Sequence, residues 1–134
     1  MKTTYTIQQV TAMTSLSSHT LRYYEKAGLI RDIAREDNGY RLYSESDLEW
    51  FRFLIRLRDT GMPIRKMQHF AELRYRGEET VAERSRMLEE HKQRIREQIA
   101  QLTVTLEVLN EKTDYYRQME RDREEQRQDQ EASV

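Results

Sequence analysis

A basic and aromatic stripe recurs at helical spacing near the N-terminus of this chain. His19, Arg22, Tyr23 and Lys26 stand at positions i, i+3, i+4 and i+7, which lie on one face of a helix. Their cationic and hydrogen-bonding tips suit a groove lined by phosphates and base edges. The solvated outer face of an ordinary amphipathic helix would give the same pattern, so the stripe alone does not decide the function.

The residues around the stripe predict the helix that carries it. Ser17 can cap the helix N-terminus, and Gly28 can end the helix in a left-handed conformation. Leu21 and Tyr24 fall on the other face, and Leu29 follows just past the end. We expect these three side chains to pack inward.

A shorter helix is predicted directly before the first one. Thr6 is a plausible cap for a helix from Ile7 to Met13, with Ile7, Val10 and Met13 facing inward. The connection around Ser15 is short, and such turns usually favour a glycine at that place. Two short helices joined in this way form a helix-turn-helix, whose second helix enters the major groove of DNA.

A hairpin signal follows the two helices. Both residues of Asn38-Gly39 accept a positive φ, and the flanking segments 33–35 and 40–43 are short enough for a two-stranded ribbon. Such a ribbon is marginal alone and must lean on the helices, as a wing does. Arg35 and Arg41 would flank its tip, although a purely structural hairpin is an alternative.

Two further helices should supply most of the core. Ser44-Glu45-Ser46-Asp47 resembles a capping box, and the helix that it opens is expected to run to about Thr60. Gly61 breaks that helix, and Pro63 suits the start of the next one. The residues expected to face inward from the second of these helices are Ile64, Met67, Phe70, Ala71 and Leu73.

The first turn of the helix after Pro63 carries two cations, Arg65 and Lys66. Basic residues there oppose the helix dipole and lower helix stability slightly. This cost without a local benefit points to a phosphate partner, with simple solvation as the alternative.

The last part of the chain reads as one long helix with a heptad seam. Apolar residues recur every seven positions, and a second series follows four positions later, strongest between Ile95 and Leu109. A single helix cannot bury such a seam, and a second copy of the chain is the simplest partner. The predicted dimerisation residues are Leu88, Ile95, Ile99, Leu102, Leu106 and Leu109.

Composition and charge limit the function classes. Residues 1–77 carry 13 Lys and Arg against 9 Asp and Glu, whereas the remaining residues carry 10 against 15. The first part could therefore meet phosphate, and the second part should not. The chain has no cysteine, and its three histidines share no metal-ligand spacing, so we expect neither a metal site nor a cofactor.

No segment has the features of a membrane span or a secretory signal, so the chain is expected to be cytoplasmic with no membrane partner. No phosphate-binding glycine loop and no nucleophile beside a base occurs in the sequence, which argues against an enzyme.

Several motifs together resemble the MerR family of bacterial transcription regulators. They are Thr20-Leu21-Arg22-Tyr23-Tyr24-Glu25, Gly28-Leu29, Asn38-Gly39-Tyr40-Arg41 with Tyr43, Asp47-Leu48, Leu57-Arg58 and Gly61, and the match runs in register from about Thr6 to Gly77. The long helix ending in Lys112-Thr113-Asp114-Tyr115-Tyr116 resembles the dimerisation helix of that family.

The resemblance implies a mainly α fold with a winged helix-turn-helix in residues 1–77. A dimerisation helix over 78–120, expected as an antiparallel coiled coil, would follow, and the charged and polar composition of residues 121–134 predicts a disordered tail. A homodimer would bind an inverted-repeat promoter site and distort the promoter spacer for RNA polymerase. The predicted DNA-binding residues are Ser18, His19, Thr20, Arg22, Tyr23, Lys26, Arg35, Tyr40, Arg41 and Lys66.

The effector is the open part of this prediction. Metal-sensing and aldehyde-responsive members of the family use cysteines, which this chain lacks, and we expect no appended ligand-binding domain like that of the multidrug-sensing members. An unidentified small molecule could serve instead. The alternatives are a DNA-architectural protein without an effector and a coiled-coil interaction module that makes no use of Arg22 and Tyr23.

Overall fold

Five α-helices and three short strands make up the described part of the chain, residues 3–133 of a computed structural model. Residues 1, 2 and 134, which the predicted domain bounds include, lie outside that part. The mainly helical fold is confirmed. In chain order the elements are β1 Thr4–Tyr5, α1 Ile7–Thr14, α2 Ser18–Lys26, β2 Ala34–Arg35, β3 Arg41–Ser44, α3 Glu45–Asp59, α4 Ile64–Arg76, a 3₁₀ turn Glu78–Thr80 and α5 Val81–Ala132.

The connection between α1 and α2 is tight because local side chains define both helix ends. The Thr6 hydroxyl accepts a hydrogen bond from the Gln9 backbone N–H, and the Gln9 side chain accepts one from Thr6 in return. Ser15 ends α1 with φ of 62°, in the left-handed region where a glycine was expected. The Ser17 hydroxyl then accepts the Thr20 N–H at 3.0 Å and opens α2. The helix-turn-helix is therefore present with the predicted caps.

The predicted two-stranded ribbon is a three-stranded antiparallel sheet in the structure. Its strand order is β1-β3-β2, so β3 is the central strand. Tyr5 pairs with Tyr43 on one side of β3, and Arg35 pairs with Arg41 on the other. We call the hairpin of β2 and β3, residues 34–44, the wing.

The tip of the wing differs from the prediction in its backbone. Gly39 has φ of +88°, whereas Asn38 keeps a negative φ. The Gly39 N–H donates to the Glu36 carbonyl at 2.9 Å, and the Glu36 N–H donates to the Tyr40 carbonyl at 2.8 Å. The loop is therefore a three-residue connection with one left-handed residue, in which Asn38 serves through its side-chain oxygen, which accepts the Tyr40 N–H.

The core lies among α1 to α4 and β3. The capping box of α3 is present, since Ser44 and Asp47 exchange side-chain-to-backbone hydrogen bonds. The Trp50 indole N–H donates to the Leu29 carbonyl at 2.7 Å and so satisfies the buried ring. The largest fully buried side chains are Phe51, Leu21, Leu29, Leu48, Leu54, Met67, Leu73 and Val10.

Two residues expected in the core lie on the surface. Met13 is 44% exposed because α1 ends one residue later, and Leu16 after the turn is buried in its place. Ile64 is 36% exposed at the first position of α4, and Met62 just before the helix is buried instead. The predictions for Met67, Phe70, Ala71 and Leu73 are confirmed.

The chain divides into two units, with the boundary after His91 rather than after residue 77. The first turns of α5 belong to the first unit because Met87, Leu88 and His91 pack there. Leu88, which was predicted as a dimerisation residue, therefore packs against the core of the first unit of the same chain.

The segment from Lys92 onward is helical as far as Ala132. Residues 121–132 are therefore helical, whereas their charged and polar composition predicted disorder. No proline or glycine interrupts that segment, and side-chain pairs such as Arg127 with Glu124 at 2.8 Å support it. Among the described helices, none is both long enough and apolar enough to cross a membrane.

Candidate nucleic-acid interface

The outer face of α2 presents the predicted stripe to solvent. His19, Arg22, Tyr23 and Lys26 are all exposed, and Tyr23 retains 51% of its accessible surface. Leu21 and Tyr24 are buried on the other face, as predicted. The stripe is available for a partner because the core does not use it.

The start of α2 also contains two of the predicted residues. Ser18 is exposed, whereas Thr20 is half-buried, with its hydroxyl 2.9 Å from the Ser17 hydroxyl. The Thr20 hydroxyl is therefore partly committed to the cap of its own helix.

Arg22 lies where two open clefts meet. One cleft, of about 530 Å³, is lined by α1, α2 and the wing, and its residues include Gln8, Arg22, Tyr40 and Arg41. The other lies along α1 and the start of α2 and includes Gln8, Ser18 and Arg22. Within residues 3–133 the Arg22 guanidinium makes no hydrogen bond or ion pair, so all of its donors can serve a partner.

The three predicted residues of the wing are in different states. Tyr40 lies at the tip and is 72% exposed. The Arg35 guanidinium donates to the Gly39 carbonyl at 3.0 Å and braces the loop. The Nε of Arg41 donates to the Glu25 carboxylate of α2 at 2.9 Å, so Arg41 is ion-paired before any DNA arrives.

The remaining predicted residues do not line the shared cleft. His19 and Lys26 belong to the α2 stripe, and Lys66 is half-buried in the first turn of α4. The structure thus brings Arg22, Tyr40 and Arg41 together at one cleft, and Lys66 is not among the residues that line it.

A pair of tyrosines joins the sheet to the helices beneath the wing. Tyr43 is buried on β3, with its ring edge-to-face against Phe51 at 5.6 Å. Burial raises the pKa of the Tyr43 hydroxyl above its usual value of 10.0. The Tyr5 hydroxyl donates to the Glu45 carboxylate, and this hydrogen bond raises the pKa of Tyr5 in turn. Both hydroxyls therefore stay protonated at neutral pH.

Two residues of this surface were missed from the sequence. Gln8 lines both clefts from α1, and only its polarity outside the inward-facing positions could have signalled it. Glu25 is an acidic residue one turn after Arg22, and no local pattern relates it to Arg41, which lies 16 residues later. Across residues 3–133, no three histidine or acidic side chains cluster closely enough to hold a metal ion.

The predicted seam forms a second candidate surface, on α5. Leu102 is 68% exposed in the single chain, and Ile95 is half-buried. Val104 and Val108 are exposed as well, although they lie off the heptad positions. The remaining seam residues Ile99, Leu106 and Leu109 are exposed too.

Comparison with known protein families identifies the family to which the chain belongs. The profile of the MerR HTH family regulatory proteins matches residues 5–73, and the MerR DNA-binding profile matches residues 48–112. The chain belongs to the MerR family. The resemblance inferred from the motifs of α2 and the wing is thereby confirmed.

Individual relatives of this MerR-family chain are transcriptional regulators. An HTH-type regulator of Haemophilus influenzae is 34% identical over 84% of each chain. AdhR of Bacillus subtilis, another HTH-type transcriptional regulator, is 37% identical over 66% of this chain and 64% of its own length. The chain is thus a MerR-type DNA-binding transcriptional regulator and, like its relatives, not an enzyme.

Solved structures agree with this kinship. HiNmlR, a MerR family regulator lacking the sensor domain and bound to promoter DNA, superposes with a TM-score of 0.81 at 33% identity. That match covers 87% of this chain and 92% of HiNmlR. A MerR family regulator from Bacillus thuringiensis gives a TM-score of 0.74 at 29% identity, over 82% of this chain and 96% of the other.

Proposed function

We propose that this chain binds an inverted-repeat promoter site as a homodimer and regulates transcription by distorting the promoter. The observation that carries this proposal is the position of Arg22. Its unpaired guanidinium lies where the cleft along α1 and α2 meets the cleft of the wing. A planar fork in that place suits a guanine edge in the major groove, with the wing beside it on the backbone.

The MerR-family membership of the chain implies a division between base reading and backbone contact, which we propose for these residues. Thr20, Arg22 and Tyr23 would face base edges, with Ser18, His19 and Lys26 around them on α2. Tyr40, Arg41 and Arg35 of the wing and Lys66 of α4 would contact phosphates, which position the protein without reading the sequence.

The homodimer rests on the exposed seam of α5. Burying a leucine side chain contributes roughly 1.5–3 kcal/mol, so two copies of this row supply a strong reason to associate. A two-fold dimer would present two copies of α2 to two half-sites related by the same symmetry. We propose the antiparallel coiled coil of the MerR family for this pair of helices.

The regulatory step concerns the DNA between the half-sites. We propose that the bound dimer bends and untwists the promoter spacer so that RNA polymerase in the cytoplasm can engage both promoter elements. A small-molecule effector would shift this equilibrium only if it bound the two states of the complex differently. This chain has no cysteine, so thiolate-based sensing through its own residues is not part of the proposal.

DNase I footprinting on the DNA upstream of its own gene tests the proposal. We expect a protected region with dyad symmetry and enhanced cleavage at its centre, where a distorted duplex is more accessible. Arg22→Ala should remove the footprint while leaving the circular dichroism spectrum unchanged. A wild-type protein that protects no specific region would contradict the proposal and favour a coiled-coil interaction module.

In vitro transcription from the same promoter separates a regulator from a DNA-architectural protein. A regulator should change the transcript level when the footprint forms. A footprint without any change in transcription, with or without candidate ligands, would support the architectural alternative.

A further inference from the structure

An ion pair joins the recognition helix α2 to the wing. The Nε of Arg41 on β3 lies 2.9 Å from a carboxylate oxygen of Glu25, and both side chains are about one-third exposed or less. Glu25 follows Arg22 by three residues, so it stands one helical turn further along α2. The pair therefore ties a wing side chain to the helix that carries Arg22.

The geometry of the pair leaves most of Arg41 usable. The described hydrogen bond to Glu25 employs Nε, and a guanidinium has further N–H donors on its two terminal nitrogens. Arg41 also lines the cleft that contains Arg22 and Tyr40. The carboxylate can thus fix the direction of the guanidinium while its outer donors stay directed to a partner.

A carboxylate paired with Arg41, next to the cleft that contains Arg22, is unfavourable for DNA binding unless it has another role. A negative charge near the phosphates lowers affinity for any duplex. An ion pair between partly exposed side chains adds little to folding stability, typically about 0–1 kcal/mol. Neither DNA affinity nor folding stability therefore explains an acidic residue beside Arg41 on a DNA-binding face. Orientation of the Arg41 guanidinium does explain it.

We propose that Glu25 is a positioning residue for DNA recognition: it holds Arg41 so that the wing and α2 contact the DNA in one fixed register. This inference rests on the proposed function. Recognition of the cognate site needs both contacts at once, so it depends on the register. Binding to an unrelated duplex depends on charge alone, so it does not.

The proposal predicts opposite effects on two kinds of DNA. Glu25→Ala removes a negative charge and releases Arg41, so affinity for a scrambled duplex should rise. The same change loosens the register, so affinity for the cognate site should fall. The ratio of the two affinities should decrease by at least about twofold, as expected for coupled residues in contact.

Glu36 provides a matched control. It is an acidic residue of the wing that lines the cleft containing Arg41, but within residues 3–133 its carboxylate forms no hydrogen bond or ion pair with Arg41. Glu36→Ala should therefore raise affinity for both duplexes by a similar factor, through charge alone. Glu25→Gln keeps an oxygen acceptor for the Arg41 Nε and should recover part of the lost discrimination.

The experiment is a set of fluorescence-anisotropy titrations with cognate and scrambled duplexes at two salt concentrations, using the full chain. In an Arg41→Ala background, adding Glu25→Ala should cause no further loss of cognate affinity. The inference is overturned if Glu25→Ala raises affinity for both duplexes as Glu36→Ala does, or lowers both by one factor. If the wild-type protein itself does not distinguish the two duplexes, the proposed function fails as well, which is a separate outcome.

Discussion

The Thr60 hydroxyl lies 2.7 Å from Nε2 of His91, and this contact joins the C-terminal end of α3 to the first turns of α5. His91 is buried, whereas His69 is exposed and pairs with Glu83 at 3.1 Å. The two histidines therefore differ in what they contribute, although both lie on helices and both have a side-chain partner.

Replacing His91 by alanine should destabilise the first unit. The change removes a buried ring and its hydrogen bond, so the free energy of unfolding should fall by about 2–3 kcal/mol. His69→Ala loses only an exposed pair and should cost less than about 1 kcal/mol. Urea unfolding followed by circular dichroism measures both, and equal losses would show that the Thr60–His91 contact has no special weight.

The left-handed Ser15 allows a stabilising substitution. A residue with a Cβ pays roughly 1–2 kcal/mol in that conformation, of which the greater flexibility of unfolded glycine cancels a part. Ser15→Gly should therefore raise the free energy of unfolding by about 0.5–1 kcal/mol. Ala12→Gly, inside α1, should lower it by a similar amount. Thermal unfolding of both variants checks the opposite signs.

The tyrosines of the sheet predict alkaline sensitivity. The pKa of folded Tyr43 lies above 10.0, so above that pH the unfolded chain releases a proton that the folded chain retains. The contribution of Tyr43 to the free energy of unfolding should therefore be constant below pH 10.0 and be lost as the pH rises through the folded pKa.

Tyr43→Phe keeps the ring against Phe51 and should reduce this alkaline loss. Melting temperatures measured on both sides of pH 10.0 test it, with Tyr5→Phe as a companion because the pKa of Tyr5 is raised as well. An unchanged slope in both variants would assign the alkaline loss to other groups.

The seam should hold the dimer through Leu102. Leu102→Glu places a charge in the middle of the exposed row and should yield a monomer that no longer binds a full site. Ala100 lies two residues away, on the opposite side of the helix, so Ala100→Glu should leave the dimer intact. Multi-angle light scattering distinguishes monomer from dimer. A dimeric Leu102→Glu variant would contradict the proposal that the seam holds the dimer.

Replacing Arg22 and replacing Lys66 should weaken DNA binding in different ways. Arg22→Ala should weaken cognate binding by about 1–3 kcal/mol more than binding to random DNA, since a fork on guanine reads sequence. Lys66→Ala should weaken both alike and reduce the salt slope by roughly one unit. Titrations at several salt concentrations compare them. If Arg22→Ala weakens both duplexes alike, base reading must lie with Thr20, Tyr23 or His19.

Local signals in the sequence predicted the local structure well. The caps of α1, α2 and α3 depend on residues within three positions of one another, so Thr6, Ser17 and Ser44 could be identified without any knowledge of the fold. The face of α2 followed from its period, since Leu21 and Tyr24 alternate with the polar stripe. Interactions between residues within one helical turn of each other can therefore be predicted from the sequence alone.

Contacts between distant segments were not predictable in the same way. The pairing of Tyr5 with Tyr43 and the bond from Arg41 to Glu25 depend on how separate elements pack. Met13 was predicted to face inward from the helical period of α1. It is exposed because it lies at the end of that helix. The helical conformation of residues 121–132 was missed because their many charges were read as disorder, although such charges also pair along a helix.

The position of β1 has a practical consequence for handling the protein. Thr4 and Tyr5 of β1 pair with one side of β3, while β2 pairs with the other. A purification tag fused ahead of Thr4, an alternative start codon or a proteolytic cut after Tyr5 would therefore act on the strand that supports the DNA-facing hairpin. Trimming that removes β1 would leave β3 unpaired on that side and should alter DNA binding through the wing.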